Sequence, residues 1–85
     1  MLNNYGSQIL VLTTQMVYRG IPFEFKLLYD GYQIKTDTWD VVCHSGSYGH
    51  EEGLLEGYGK PFEDKFDDVE GYLTALDVLE RIEGV

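Results

Sequence analysis

Residues 23–43 read FEFKLLYDGYQIKTDTWDVVC, and this stretch decides the fold class. Residues 23–28 begin with alternating apolar and polar side chains, the period-2 pattern of a half-buried strand. Asp30-Gly31 is a residue pair favoured in tight hairpin turns. Tyr32–Thr36 and Trp39–Cys43 then repeat the extended pattern. The stretch therefore predicts three consecutive antiparallel strands of a meander.

The segment before this stretch is predicted to form one more strand. Residues 8–18, QILVLTTQMVY, are apolar and β-branched without helical spacing. Arg19-Gly20 predicts a turn. Pro22 cannot donate to a strand ladder, so we expect it at the start of the next strand. With this strand included, residues 1–44 form a four-stranded meander.

The end of the chain predicts a short strand followed by a helix. A helix beginning at Asp67 is the alternative, but Gly71 inside it would cost about 1 kcal/mol. We therefore favour a strand over Val69–Leu73. Thr74 followed by Asp77 resembles a capping box at the start of a helix. The apolar residues that follow share one helix face at i, i+3, i+4 and i+7: Ala75, Val78, Leu79 and Ile82.

These elements predict a single α+β domain, a four- to five-stranded antiparallel β-sheet with a C-terminal α-helix packed on one face. The 85 residues allow one modest core. Residues 1–44 form the meander, and residues 45–68 an irregular segment rich in acid, glycine and tyrosine. Residues 69–85 contribute the short strand and the helix, which Gly84 is expected to end.

Charge and composition exclude several classes of function. The net charge of −9 argues against nucleic acid or an anionic membrane as a direct ligand, because phosphates would be repelled. The single cysteine, Cys43, excludes an intrachain disulfide and favours the cytoplasm. The N-terminal sequence MLNNYGSQ lacks the features of a signal peptide. No apolar run approaches the roughly 18–20 residues of a membrane span.

One group of residues carries metal-ligand chemistry: Cys43, His44, His50, Glu51 and Glu52. Its spacing lacks the closely paired Cys or His ligands of a zinc site. Cys43 and His44 are neighbours on a strand, so their side chains diverge and do not form a nucleophile–base pair. We therefore expect a core-facing Cys43, with His44 and His50 hydrogen-bonded in a loop. No catalytic group or cofactor loop is recognisable, which predicts a protein that is not an enzyme and has no cofactor.

Acidic residues are concentrated in the second half of the chain. Residues 51–83 contain eleven carboxylates and three basic side chains, which accounts for −8 of the net charge. Such a run is usually a solvated surface, but it can also imitate a phosphate backbone and bind a basic protein. Tyrosines among the acids favour an interface, since tyrosine combines apolar area with a polar tip. The predicted partner-binding residues are Tyr48, Glu51, Glu52, Glu56, Tyr58, Glu63, Asp64, Asp67, Asp68 and Glu70.

Three short sequence motifs are similar to those of a known group of proteins. They are Ser47-Tyr48-Gly49, Gly53-Leu54-Leu55-Glu56 and Gly71-Tyr72-Leu73-Thr74, and the sequence around them covers about half of the chain. The chain resembles small acidic proteins encoded by phages and prophages. Many of these, anti-CRISPR proteins among them, bind and block a host defence nuclease. The resemblance implies a similar role here, in the cytoplasm of a host cell.

Three hypotheses follow. The first is a non-enzymatic anti-CRISPR or similar anti-defence inhibitor that blocks a basic nucleic-acid-binding surface of a host protein, for example a Cas nuclease, by DNA mimicry. The second is a small-ligand or metal-binding module whose loop closes over a pocket lined by Trp39, His44, Tyr48 and His50. The third is a phage structural or housekeeping protein whose acid only solvates it. Self-association into a homodimer is compatible with each of them.

Overall fold

The structure, a computed structural model, describes residues 4–62 and 69–83. Within them, five strands follow one another in the order β1-β2-β3-β4-β5, and each is antiparallel to the next. The predicted α+β meander with a C-terminal helix on the sheet is confirmed. The elements are α1 (Tyr5–Arg19), β1 (Glu24–Leu28), β2 (Gly31–Lys35), β3 (Trp39–Cys43), β4 (Leu55–Gly59), β5 (Val69–Leu73) and α2 (Ala75–Glu83), with 3₁₀ turns at His50–Glu52 and Lys60–Phe62.

The prediction of a strand over residues 8–18 is wrong, because these residues lie within α1. Ile9, Leu12 and Met16, spaced i, i+3 and i+7, are buried on one face of the helix. Apolar residues also occupy the exposed face, so the helical period is hidden in the sequence. Burial of one face outweighs the strand preference of the β-branched residues. The sheet consequently has three strands, not four, before residue 45.

The two hairpins predicted within residues 23–43 are confirmed. Strands β1 and β2 are joined by a two-residue turn, Tyr29-Asp30, so Gly31 of the predicted Asp30-Gly31 turn pair begins β2 instead. Strands β2 and β3 are joined by residues 36–38. The Thr36 amide donates to the Trp39 carbonyl over 2.9 Å and closes the second turn. Val41 is opposite Ile34 in this hairpin, and both side chains are buried beneath the helices.

Strand β4 was not predicted, since its sequence LEGYG lies in the segment interpreted as irregular. Leu55 pairs with Leu73 of β5, and both are buried, which anchors the strand. At Gly57, a Cβ atom would lie 2.7 Å from the Phe62 ring, so the glycine makes room for that side chain. Phe62 packs edge-to-face on Trp39, with 6.1 Å between ring centroids. Tertiary packing therefore makes a strand of a glycine-containing stretch.

The prediction for the end of the chain is confirmed. Residues 69–73 are strand β5, and the capping box at the start of α2 is formed in both directions. The Thr74 amide donates to Asp77 Oδ2 over 3.0 Å, and the Asp77 amide donates to Thr74 Oγ1 over 3.1 Å. Ala75, Val78 and Leu79 are buried. The expected end of the helix at Gly84 lies outside the described residues.

Both helices cover the same face of the sheet. Helix α1 packs on β2 and β3, α2 packs on β5, and the two helices contact each other. An ion pair between Arg19 and Glu83 joins their last turns. The described residues include no helix with the length and apolar character needed to cross a membrane.

Candidate partner-binding surface

Residues 44–54, here named the β3–β4 loop, are held in place by a network of internal hydrogen bonds. The His44 amide donates to Ser47 Oγ over 3.0 Å, and Ser47 Oγ donates back to the His44 carbonyl over 2.9 Å. Gly49 accepts from the Leu54 amide over 2.9 Å, and Gly53 donates to the His50 carbonyl over 2.9 Å. These hydrogen bonds fix the backbone from which the outer side chains of the loop project.

Both histidines have structural partners, which confirms the expectation of hydrogen-bonded loop histidines. His44 Nδ1 accepts from the Gly46 amide over 3.0 Å. His50 Nδ1 lies 2.7 Å from the Ser47 carbonyl oxygen, to which it donates when the proton is on Nδ1. The His50 ring also packs edge-to-face on Tyr5. In the part of the chain that the structure describes, no group of three or more His, Cys, Asp or Glu side chains is arranged to hold a metal ion.

Trp39 lies apart from the other three residues of the predicted ligand pocket. Trp39 begins β3 and His44 follows its end, so their backbones are about 16 Å apart along the strand. Trp39 is buried and lines a different depression, next to Ile21 and Thr38 at the far end of the sheet. The β3–β4 loop does not bring Trp39 together with Tyr48 and the histidines.

Cys43 is a core residue, as predicted. It is fully buried on β3, and burial raises the pKa of its thiol from 9.0 to about 11. A thiol with this pKa remains protonated at neutral pH and is a poor nucleophile. Because the pKa of this thiol is higher in the folded than in the unfolded state, the free energy of unfolding changes with pH in the alkaline range.

We expect the free energy of unfolding to fall by about 1 kcal/mol from Cys43 alone between about pH 8 and about pH 10. The unfolded thiol, with the lower pKa, loses its proton first, so the unfolded state binds fewer protons and is favoured as pH rises. Urea unfolding of the wild type and of Cys43→Ala at both pH values measures this contribution. A pH-dependent loss of the same size in Cys43→Ala would show that the thiol does not cause it.

Two predicted acids and one predicted tyrosine are exposed on the β3–β4 loop. Glu51 and Glu52 lie in the 3₁₀ turn, and the Glu51 side chain is 73 % exposed. Tyr48 is 63 % exposed. The structure thus brings these three side chains together on one surface segment.

A second tyrosine, absent from the predicted residues, lies beside this segment. Tyr72 is 59 % exposed, and its amide donates to the Tyr48 carbonyl. Its φ of 59° and the register shift between β4 and β5 mark an irregularity of the strand at this point. At Gly71 a Cβ atom would collide with Tyr48, so the glycine allows the loop to lie on β5. A glycine within a strand pattern is the sequence signal for such a close approach.

Glu56, one of the predicted partner-binding residues, is not on the surface. The side chain lies on the sheet face opposite the helices and is 4 % exposed. It accepts a hydrogen bond from the Tyr58 hydroxyl. Burial and this bond raise the pKa of Tyr58, so its hydroxyl stays protonated as the donor. Tyr58 itself is half-buried, and its hydroxyl is occupied within the fold.

Of the remaining predicted acids, Glu70 is described by the structure and four others are not. Glu70 is half-buried and makes a bidentate ion pair with Arg81, with distances of 3.0 and 2.8 Å to Nε and Nη2. Its charge is therefore compensated within the chain. Four predicted acids lie outside the described residues: Glu63, Asp64, Asp67 and Asp68. The candidate partner-binding surface is accordingly defined here as Tyr48, Glu51, Glu52 and Tyr72.

Comparison with known proteins adds no relative. No protein-family model, no curated protein and no solved structure matches this chain. The fold and the surface define a small acidic α+β protein that displays carboxylates and a tyrosine on the β3–β4 loop, beside a second tyrosine on β5.

Proposed function

We propose that the protein is a non-enzymatic inhibitor of the anti-CRISPR or a similar anti-defence kind, which blocks a basic nucleic-acid-binding surface of a host nuclease. One observation carries the proposal: Glu51, Glu52 and Tyr48 are exposed on a loop that internal hydrogen bonds hold in place, and the amide of the exposed Tyr72 of β5 donates to that loop. The resemblance to small phage proteins, seen in the Ser47-Tyr48-Gly49 and Gly71-Tyr72-Leu73-Thr74 motifs, supports this kind of partner.

The fixed loop favours binding because little conformational freedom is lost on association. A mobile loop would lose side-chain and backbone entropy when a partner orders it. Here Ser47 is buried at the centre of the loop, and the Tyr48 carbonyl is bonded to β5. The tyrosines supply apolar contact area at a low entropic cost, and the glutamates supply charge.

The charge of the whole chain acts over a longer range than these contacts. A net charge of −9 attracts a positively charged groove and speeds the diffusional encounter with it. Grooves that hold nucleic acid are lined by Lys and Arg, since they must neutralise phosphates. A Cas nuclease provides such a groove for its guide and target strands. The acidic protein would occupy it in place of nucleic acid.

We expect the protein to bind at least one purified Cas nuclease, more tightly at about 50 mM than at about 300 mM salt by a factor of ten or more, because added ions screen the charge attraction. Biolayer interferometry against a panel of Cas nucleases measures both affinities. A nuclease that binds equally well at the two salt concentrations would contradict recognition by charge. If no nuclease binds and only self-association is seen, the structural or housekeeping hypothesis is the better account.

A further inference from the structure

The edge of the sheet formed by β1 is uncovered on the side of the helices. Within residues 4–62 and 69–83, β1 pairs with β2 alone. Phe25 is 46 % exposed and Leu27 74 % exposed, on the sheet face that packs against α1. Leu10 of α1 is 67 % exposed and lines a groove with Phe25 and Tyr32. An exposed apolar area beside an unpaired strand is typical of an interaction site.

The hydrogen-bonding groups of this edge can be assigned from the hairpin. The turn has two residues, so Leu28 and Gly31 form its closing, hydrogen-bonded pair. In an antiparallel ladder such pairs alternate with pairs that are not bonded to each other. The residues one and three positions before Leu28 are Leu27 and Phe25. Their N–H and C=O groups therefore point away from β2, toward the open edge.

The charges on β1 favour pairing with a second copy of the same strand in one particular antiparallel register. A second β1 strand can pair with the first about a two-fold axis through Phe25, which places that residue opposite its own copy. Glu24 then lies opposite the partner's Lys26, and Lys26 opposite the partner's Glu24. Moving the axis to Lys26 would place two lysines opposite each other, which is unfavourable. The complementary register is also the one in which the outward N–H and C=O groups of Phe25 meet.

We propose that a second copy of the chain pairs antiparallel with β1 about Phe25, which joins the two sheets into one of ten strands. The strip between the two α1 helices is then lined by Phe23, Phe25 and Leu27 of both copies. Helix α1 packs mainly over β2, so the two helices flank this strip about 14 Å apart, three strand spacings.

The distribution of acid favours this edge over the opposite one. Residues 1–50 contain four acidic and three basic side chains, whereas residues 51–83 carry a net charge of −8. Strand β5 and its neighbours form the opposite edge, about 19 Å away across four strand spacings. Pairing through β1 therefore brings the nearly neutral sides together and leaves the candidate partner-binding surface accessible. The proposal does not depend on which partner that surface binds.

Sedimentation velocity of the full chain from about 1 to about 300 µM tests the proposal. We expect a species of twice the 9.7 kDa chain mass to grow with concentration. Lys26→Glu places like charges opposite each other and should weaken the dimer at least about tenfold. The exchange Glu24→Lys with Lys26→Glu restores opposite charges and should restore the dimer to within about threefold of the wild type.

Lys60→Glu is the matched control, since Lys60 is exposed away from β1 and the charge change is the same. Lys26 is exposed and faces the neutral Gln33 on β2, so Lys26→Glu should fold. Glu24 faces Lys35 on β2, so the charge exchange places two lysines opposite each other within one chain, and circular dichroism checks that both variants are folded before their dimers are compared. A wild type that stays monomeric over the whole range overturns the proposal. So does a dimer that Lys26→Glu weakens no more than Lys60→Glu, or one that the charge exchange fails to restore.

Discussion

Leu12→Ala is expected to lower the free energy of unfolding by about 3 kcal/mol. Leu12 is fully buried in the centre of α1, between Ile9 and Met16. The truncation removes apolar area from the core and leaves a cavity that the surrounding helix and sheet fill only in part. Urea unfolding followed by circular dichroism, at about 1 µM protein to keep the chain monomeric, measures the loss.

Leu10→Ala is the matched control. The same side chain is truncated two residues away, but Leu10 is 67 % exposed, so we expect a loss within about 0.5 kcal/mol. On a helix residues 10 and 12 point to different sides, whereas on a strand they would share one face. Equal losses in the two variants would therefore contradict the helix and favour the strand that the sequence suggested.

Helix α1 shows why local patterns did not suffice for the first part of the chain. Its buried face, with Ile9, Leu12 and Met16, has regular helical spacing. Val17 and Tyr18 on the exposed face are also apolar, so the contrast between faces that reveals a helix is weak. This outer face exposes more apolar area than a solvent-facing helix surface usually does. The proposed pairing through β1 would place Leu10, which lies on this face, beside an interface.

The end of the chain was predictable because its signals are local. A capping box between Thr74 and Asp77 and an apolar face within nine residues define α2 without knowledge of the rest of the fold. Strand β4 has no comparable signal. Its two glycines discourage a strand, and only the packing of Leu55 on Leu73 and of Phe62 over Gly57 makes it one.

The candidate site was predictable only in part, because its side-chain directions depend on tertiary packing and not on local signals. The acidity of the segment is visible in the sequence, but the direction of each side chain depends on strand register. Glu56 lies on the sheet face opposite the helices and is buried beside Tyr58. The register in which β4 pairs with β3 determines this direction. Glu70 meets Arg81, eleven residues away, only because α2 folds back over β5. Spacing along the chain does not reveal either contact.

Reversing the charge of Glu51 and Glu52 together is expected to weaken binding to the proposed nuclease target about 100-fold, or about 3 kcal/mol. Both side chains are exposed on the 3₁₀ turn. The variant Glu51→Lys with Glu52→Lys would place two positive charges against a basic groove, so attraction becomes repulsion. The Glu52 amide donates to the Gly49 carbonyl through the backbone, and the Glu51 carboxylate makes only an exposed contact of 3.6 Å with His50 Nδ1, so the fold should persist. Titration by biolayer interferometry measures the change.

The matched control combines Asp37→Lys with Glu80→Lys. It has the same net charge change, but both residues are exposed away from the β3–β4 loop, one in the β2–β3 turn and one on α2. We expect this control to weaken binding less than about tenfold, through the general loss of attraction alone. If the two double variants bind equally weakly, total charge and not the candidate partner-binding surface determines recognition.

DNA cleavage by a purified Cas nuclease, measured with increasing amounts of the protein, tests the proposed function most directly. We expect the wild type to stop cleavage near a one-to-one ratio, and the control variant of Asp37 and Glu80 to do so at a modest excess. The variant of Glu51 and Glu52 should leave cleavage almost unchanged at the same concentrations. Undiminished cleavage by every nuclease of the panel, or equal inhibition by both double variants, would contradict inhibition through the β3–β4 loop.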